Sequence, residues 1–528
     1  MMFGLPGQGM HLRMDPLSAL FLCILVPQML AAALSGMRGS VVLWLFCASL
    51  ALTLLAATPF TLVFGLGLAG TAAWLLMLRL ERKAAAPYIG VALFSVACLI
   101  PAMFLPPGGL AFVLVLLGTG AMAGLAALPQ GASVALSGGL MNVSVYVLIR
   151  YGFIAFGAAT QPWWGLVLII AGAACVLPGA LGAILEVDMS AVLASTSLAQ
   201  LGLTLVALGI ALRAVAMHNP ALAALALQAA LLGTLAHALF RPMLIIGAGA
   251  VRHATGTNSL DWLGGLLRGM PRVGMLMLGA AAGMASLPLG PGFAPEFLLL
   301  HAVIAAAGTG AIFARIGFVA LLAALGFSAA LAVGAMVRLI GLGFLGRPRS
   351  LRAAAAEDTG GGTLAAMALL GVLCIPLALL PGVVLGALVP VIQLLAPQAD
   401  PLPLAYAPLS LALLMALCGG GALLALRRFA VRGTREVVAW NGGFGRPPVW
   451  LPFGDPTTQP SATGFAEPVA RAFGGWHPAN AGGGLARLRR LRVRLSHAAR
   501  RIPLPSPLAL MLAALALCLL VLILGQGS

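Results

Sequence analysis

Residues 220–250 read PALAALALQAALLGTLAHALFRPMLIIGAGA. His237 and Arg241 are the only ionisable side chains in this run, and Gln228 and Thr234 are its only other polar ones. A helix rises about 1.5 Å per residue and a bilayer's hydrocarbon core is about 30 Å thick, so the run is long enough to span it. Comparable apolar runs occupy 17–36, 40–58, 60–80, 87–105, 109–128, 136–157, 163–184 and 190–212 before it, and 273–309, 312–345, 364–396, 403–426 and 505–524 after it. The chain of 528 residues therefore reads as an all-α polytopic membrane protein of about fourteen transmembrane helices.

Composition supports this. The sequence is 62% hydrophobic and 8% charged, whereas a soluble domain is about 25% charged. A soluble enzyme, a disordered chain and a secreted disulfide scaffold are excluded. The seven cysteines are scattered through apolar stretches with no CxxC or Cys/His cluster, which leaves neither zinc nor an iron–sulfur centre a ligand set. The net charge of +17 comes from 29 basic residues, of which Lys83 alone is a lysine. No soluble basic domain is present to bind nucleic acid. The excess fits anionic lipid and the positive-inside rule, with loops bearing Arg38, Arg79 to Lys83 and Arg252 to Arg272 on the cytoplasmic side.

Three parts divide the chain: a transmembrane helical domain over 1–427, an extramembrane loop over 428–504 and a C-terminal transmembrane helix over 505–528. The first half of the loop shows no helical period. About 485–502, Leu485, Leu488, Leu491, Leu495 and Ile502 oppose Arg487, Arg490, Arg494 and Arg501, the pattern of a basic amphipathic helix at a membrane surface. Prolines 242, 288, 291 and 376 inside the later runs predict broken helices, which a bilayer tolerates where protein or a wet cavity satisfies the freed backbone.

Ionisable groups at membrane depth cost about 2.5–3.5 kcal/mol each on insertion scales, so they point to function. The candidates for a proton path are His237, Arg241, Glu296, Arg338 and Asn142, with His301 as a further titratable group. Helical spacing groups Thr234, His237 and Arg241, then Asn142, Tyr146 and Arg150, then Ser197, Gln200 and Thr204. Three such stripes facing one another would line a hydrated file; interhelical hydrogen bonding is the alternative. Glu296 follows a Pro/Gly-rich break and starts a new helix, where a carboxylate is favoured. The run Gly65-Leu66-Gly67-Leu68-Ala69-Gly70 matches a dinucleotide fingerprint, but it lies in an apolar span and reads as a close-packing face. No catalytic motif is present.

Several stretches carry a family resemblance. Leu12 to Phe21, Asp188 to Gly202, His237 to Arg241, Ala248 to Pro271, Leu287 to Phe297, Val337 to Arg349 and Ala439 to Phe444 resemble, in order, motifs of the antiporter-like membrane subunits of respiratory complex I and of hydrogenase-4 and formate hydrogenlyase, most closely the large membrane subunit of the hydrogenase-4 type. The resemblance implies an antiporter-like fold with inverted repeats. It further implies a subunit of a bacterial-type inner membrane that carries protons while partner subunits do the redox chemistry. Those partners would be other membrane-arm subunits and a peripheral arm holding the iron–sulfur and metal centres, with no cofactor in this chain. The family's relay of one buried glutamate and several lysines falls here on Gly65, Met122, Asn142, Arg241 and Arg338. Glycine, methionine and asparagine hold no transferable proton, and arginine does not release one. The alternatives are a structural subunit that no longer pumps and a stand-alone cation/proton antiporter.

Overall fold

The computed structural model describes residues 4–5, 8–37, 41–80, 82–126, 134–157, 160–308, 312–399, 408–429 and 459–473. Apart from a two-residue strand pairing at Gly4–Leu5 and Gln8–Gly9, its regular structure is helical. The helices are α1 (Pro16–Ala32), α2 (Val41–Leu54), α3 (Pro59–Leu80), α4 (Arg82–Phe104), α5 (Gly109–Ala126), α6 (Val134–Ile149), α7 (Pro162–Leu185), α8 (Met189–Ala216) and α9 (Pro220–Thr255). They continue with α10 (Leu266–Gly269), α11 (Pro271–Met284), α12 (Phe293–Ala307), α13 (Ile312–Phe344), α14 (Leu351–Ala354), α15 (Gly361–Leu379), α16 (Pro381–Leu395), α17 (Pro408–Phe429) and α18 (Ala462–Ala472). Among the described residues, eight helices are each long and apolar enough to cross a membrane, and five shorter apolar helices accompany them. The first thirteen expected runs all fall on helices. The run 505–524 and the amphipathic stretch 485–502 lie outside the described residues.

Long α9 is the hub: it packs against α8, α11, α12 and α15, and also meets α1, α6 and α16. Its residues from Leu222 to Val251 are almost all buried, although the flanking helices leave large apolar faces outward. Helices α7 and α8 form the closest pair. A Cβ on Gly172 would meet Val206 Cγ2 at 2.8 Å and the Gly202 carbonyl at 2.6 Å, and one on Gly209 would meet the Gly165 carbonyl at 2.6 Å. Without side chains at these points the two backbones touch along their length.

The breaks differ from the sequence expectation. Helix α9 runs unbroken through Pro242. Proline there frees the carbonyl four residues back, Ala238, and Gln28 of α1 donates its Nε2 hydrogen to it at 2.7 Å. A side chain from another helix thus replaces the missing bond, and the helix continues. Helix α15 likewise passes through Pro376 and ends at Leu379, with Leu380 as its cap ahead of Pro381. The break expected at Pro288 and Pro291 is present: α11 stops at Met284 and α12 starts at Phe293. Ser286 (φ 47°) and Leu289 (φ 69°) take left-handed conformations in the connection, at a cost of about 1–3 kcal/mol each. Gly292 abuts the Gly283 carbonyl so closely that any side chain would collide with it.

One helix was not legible. Helix α18 lies in the half of the loop expected to lack a helical period. Its buried face is Ala462, Ala466 and Ala470, too weakly apolar to register as a stripe, and Ser461 caps it by accepting from the Gly464 amide at 2.9 Å.

Candidate functional site

The three polar stripes do not form one file. Asn142 and Tyr146 on α6, and Arg150 just past its end, face α1, the chain leading into it and the end of α2. Asn142 Nδ2 donates to Gln28 Oε1 at 3.2 Å, the Tyr146 hydroxyl donates to the Leu54 carbonyl at 2.7 Å and lies 3.2 Å from Ser18 Oγ, and Arg150 pairs with Asp15. At Asp15 burial pushes the carboxyl up, but the Ser18 amide and Arg150 outweigh it and hold the group below its ordinary value.

His237 and Arg241 lie on the side of α9 that faces this ladder. With Gln28, Met141, Asn142 and Pro242 they line a tight interior site that has no room for a water molecule. Arg241 Nη1 points at Met141 Sδ at 3.6 Å, and His237 Nε2 is buried with no hydrogen-bond partner among the described residues.

The third stripe faces elsewhere. Gln200 and Thr204 of α8 line a cavity with Gly233, Ala236 and Phe240 of α9, Ser286 in the broken joint, and Glu296 on the first turn of α12. About 20 Å³ of it is open to the centre of a water molecule, enough for about one water. Phe240 borders this cavity and also sets its ring edge-on to His237, with centroids 5.6 Å apart. Helix α9 therefore separates a cavity with room for water from a tight cluster, with Phe240 at the partition. His301 is exposed on the outer face of α12, its Nδ1 3.0 Å from the Phe297 carbonyl oxygen, and is not part of either group.

Arg338 stands apart from both. It is 1% exposed. Its Nη1 donates to the Ala462 carbonyl and its Nη2 to the Ala183 carbonyl, both at 3.2 Å, and Nη2 also reaches the Glu186 carbonyl. The last carbonyls of α7 have no partner within that helix, and a guanidinium is a fitting cap for them. Arg349 Nη2 donates to the Pro460 carbonyl at 2.8 Å, and Asp261 Oδ1 accepts from the Ala462 amide at 2.7 Å. Three side chains thus clamp the start of α18. Beside this clamp, burial and the neighbouring Asp188 push the Glu186 carboxyl up.

The positions where the resemblance implies a buried glutamate and a lysine, Gly65 and Met122, are filled with packing. A Cβ on Gly65 would fall 2.7 Å from Thr53 Oγ1, so α2 and α3 meet where a glutamate side chain would need space. Gly70 packs against Ala92, with Met122 Cε beside it. The same contacts make the 65–70 run a packing face. Among the described residues no group of three or more His, Cys, Asp or Glu is placed to hold a metal ion.

Residues 122–322 match the family described as NADH:quinone oxidoreductase/Mrp antiporter, transmembrane. This stretch is similar to the membrane domains of that family. The chain is homologous to an uncharacterised protein of Mycobacterium tuberculosis, at 33% identity over 69% of this chain and 60% of that protein. It is likewise homologous to formate hydrogenlyase subunit 3 of Escherichia coli (30% identity; 60% of this chain, 51% of that one) and to hydrogenase-4 component B of the same organism (28% identity; 51% and 42%). It therefore spans between about two-fifths and three-fifths of the curated relatives' length. Among solved structures, a chain of the membrane-bound sulfane sulfur reductase, an archaeal respiratory membrane complex, shares the fold over 99% of this chain and 91% of its own, with a TM-score of 0.74 at 19% identity. Respiratory complex I from Thermus thermophilus matches over 73% of this chain and 85% of that one, with a TM-score of 0.59 at 20% identity. The fold is thus that of a polytopic, antiporter-like membrane protein.

Sequence reasoning did not single out Gln28 or the Arg349 and Asp261 clamp. Gln28 had a signal, since it is a lone amide inside an apolar run. The clamp had none, because its targets are backbone atoms more than a hundred residues away in sequence.

Proposed function

We propose that the protein is a membrane-arm subunit of a complex-I-like or hydrogenase-4-like respiratory complex in a bacterial cytoplasmic membrane, coupling redox chemistry in partner subunits to proton translocation through a reduced relay. The observation that carries this reading is Glu296. A carboxylate on the first turn of a helix, at a break inside a membrane span, beside a cavity with room for water, is an arrangement suited to taking up and releasing a proton. Electrons travel in partner chains, and any iron–sulfur or metal centre belongs to a peripheral arm. Residues 1–427 form the translocating domain in this reading, with 428–504 as its extramembrane strap and 505–528 as a final span.

The test is proton uptake by inside-out membrane vesicles holding the native complex, energised in turn with hydrogen, formate and NADH. Glu296→Gln is expected to reduce uptake per donor oxidised at least tenfold with the complex still assembled; unchanged uptake refutes the role of this carboxylate. A second reading, a structural subunit that does not pump, is favoured by the packing at Gly65 and Met122 and by the tight site around Arg241. A complex that oxidises its donor with no uptake attributable to this chain would establish it. Purification of the chain alone from a gentle detergent extract would instead support a stand-alone antiporter.

A further inference from the structure

The sequence puts α18 in an extramembrane loop, but its contacts with α13 set it at another level. On α13 the residues between Arg315 and Arg338 are uncharged, and Ser328 is the only one with a polar side chain. At about 1.5 Å per residue the two arginines stand about 35 Å apart, enough to cross a hydrocarbon core of about 30 Å. They therefore mark the two rims, and Phe327 lies midway between them. Helix α7 gives the same level: it is apolar from Trp163 and Trp164 to Leu185, and Arg338 reaches the carbonyls that close it.

Two points fix α18 against this ruler. Its first residue meets the rim, where Arg338 Nη1 donates to the Ala462 carbonyl at 3.2 Å. Its cap meets mid-depth, where the rings of Phe473 and Phe327 have centroids 5.7 Å apart. Phe327 and Arg338 are eleven positions apart on α13, and Ala462 and Phe473 are eleven apart on the other segment, each a rise of about 16 Å. Helices that touch at both ends of equal runs lie side by side, here antiparallel. The inward stripe of Ala462, Ala466 and Ala470 packs on α7 and α13.

A charged face is left outward. Arg471 Nε donates to Glu467 Oε1 at 2.8 Å, and the two side chains are 79% and 44% exposed. By the helix rise Arg471 lies about 13 Å inward of the rim, too deep for its side chain to reach the headgroups. Charges at such depth are costly against lipid and face protein or a wet cavity instead. Among the described residues Glu467 is the one hydrogen-bond partner of Arg471, so the other donors of its guanidinium are open to an acceptor from outside. Phe465 and Pro468, also exposed, extend this face with apolar surface.

We propose that α18 is a re-entrant helix, which moves 462–473 out of the extramembrane strap, and that its outer face is the docking surface for a partner subunit. The partner element is a transmembrane helix carrying hydrogen-bond acceptors, carboxylate or amide, opposite Arg471 inside the membrane.

The proposal rests on the reading of this chain as a subunit of a membrane complex, and its test lets the two fail separately. Benzoylphenylalanine, a photo-crosslinking residue, is placed at 465 or 468 of the chain in its native membrane, leaving Glu467 and Arg471 intact. The expected adduct, located by mass spectrometry, is with a transmembrane helix of another subunit, and adding Arg471→Gln is expected to cut its yield at least fivefold. Adducts confined to lipid or to this chain, or an unchanged yield with Arg471→Gln, overturn the docking surface; other subunits that still co-purify leave the complex reading standing. A chain that purifies alone overturns both. Depth is read separately with a membrane-impermeant maleimide on vesicles of either orientation. Thr463→Cys is expected to label at least tenfold faster than Ala472→Cys, and equal rates overturn the re-entrant position.

Discussion

Arg241, in the middle of α9, and Arg338, near the end of α13, are both almost fully buried guanidiniums, yet their surroundings have little in common. Arg338 donates to three backbone carbonyls from two segments and closes the end of α7 onto the start of α18. Arg241 faces a thioether, an imidazole and amide side chains in the membrane interior. A buried arginine is therefore used in two different ways. At the rim the planar fork is used for bidentate geometry; in the interior only the permanent charge is used.

The sharpest way to break this contrast is Arg338→Ala. Three carbonyls lose a partner, at about 1–3 kcal/mol for each that stays dry, so we expect a loss of about 3 kcal/mol or more in thermal unfolding in detergent, with α18 becoming open to trypsin at Arg471. Arg338→Lys should recover less than half, because an ammonium does not span the same carbonyls. Wild-type stability in Arg338→Ala would erase the distinction.

Gln28→Leu probes the wall of the Arg241 site. It should cost about 1–3 kcal/mol by stranding the Ala238 carbonyl. In a Pro242→Ala background the restored backbone N–H serves that carbonyl, and the cost of Gln28→Leu should shrink; an unchanged cost would show that Gln28 acts by other contacts.

Arg241→Ala should lower stability less than Arg338→Ala does and should abolish proton uptake, whereas Arg241→Lys should keep the charge and most of the uptake. Unchanged uptake in Arg241→Ala would show that Arg241 takes no part in a proton path.

The smallest effect concerns Asp15. Its carboxyl is held below the ordinary value, so the Asp15–Arg150 pair stabilises the fold above about pH 4, the range of a free aspartate, and that contribution is lost as pH falls through the lowered value. Asp15→Asn should lower the unfolding midpoint at pH 7 by an amount equivalent to about 1 kcal/mol and converge with the unsubstituted protein in acid; a gap that persists in acid would mean the pair is not its cause.

Much of the fold was legible, because apolar run length and the absence of charge follow directly from bilayer thickness. Thirteen runs coincide with helices for that reason. Proline was read too strongly. It removes one hydrogen bond, but whether the helix breaks depends on whether another chain segment supplies a donor, as Gln28 does for Ala238. At the candidate site, spacing correctly put Asn142, Tyr146 and Arg150 on one face, and the structure shows that face spent on α1. Which stripe faces which is set by tertiary packing, so one sequence could not reveal that α9 divides Glu296 from His237.

The contact of α7 with α8 bears on how such a molecule moves. Where glycines at 165, 172, 202 and 209 bring two backbones together, no side chains remain to slide or repack between them. Mechanically the hairpin is a single beam. Any stroke that linked the two sides of the membrane would have to be taken up at its hinges, at the strained 285–292 joint and at Leu380, and the beam would serve as the rigid frame against which those hinges turn.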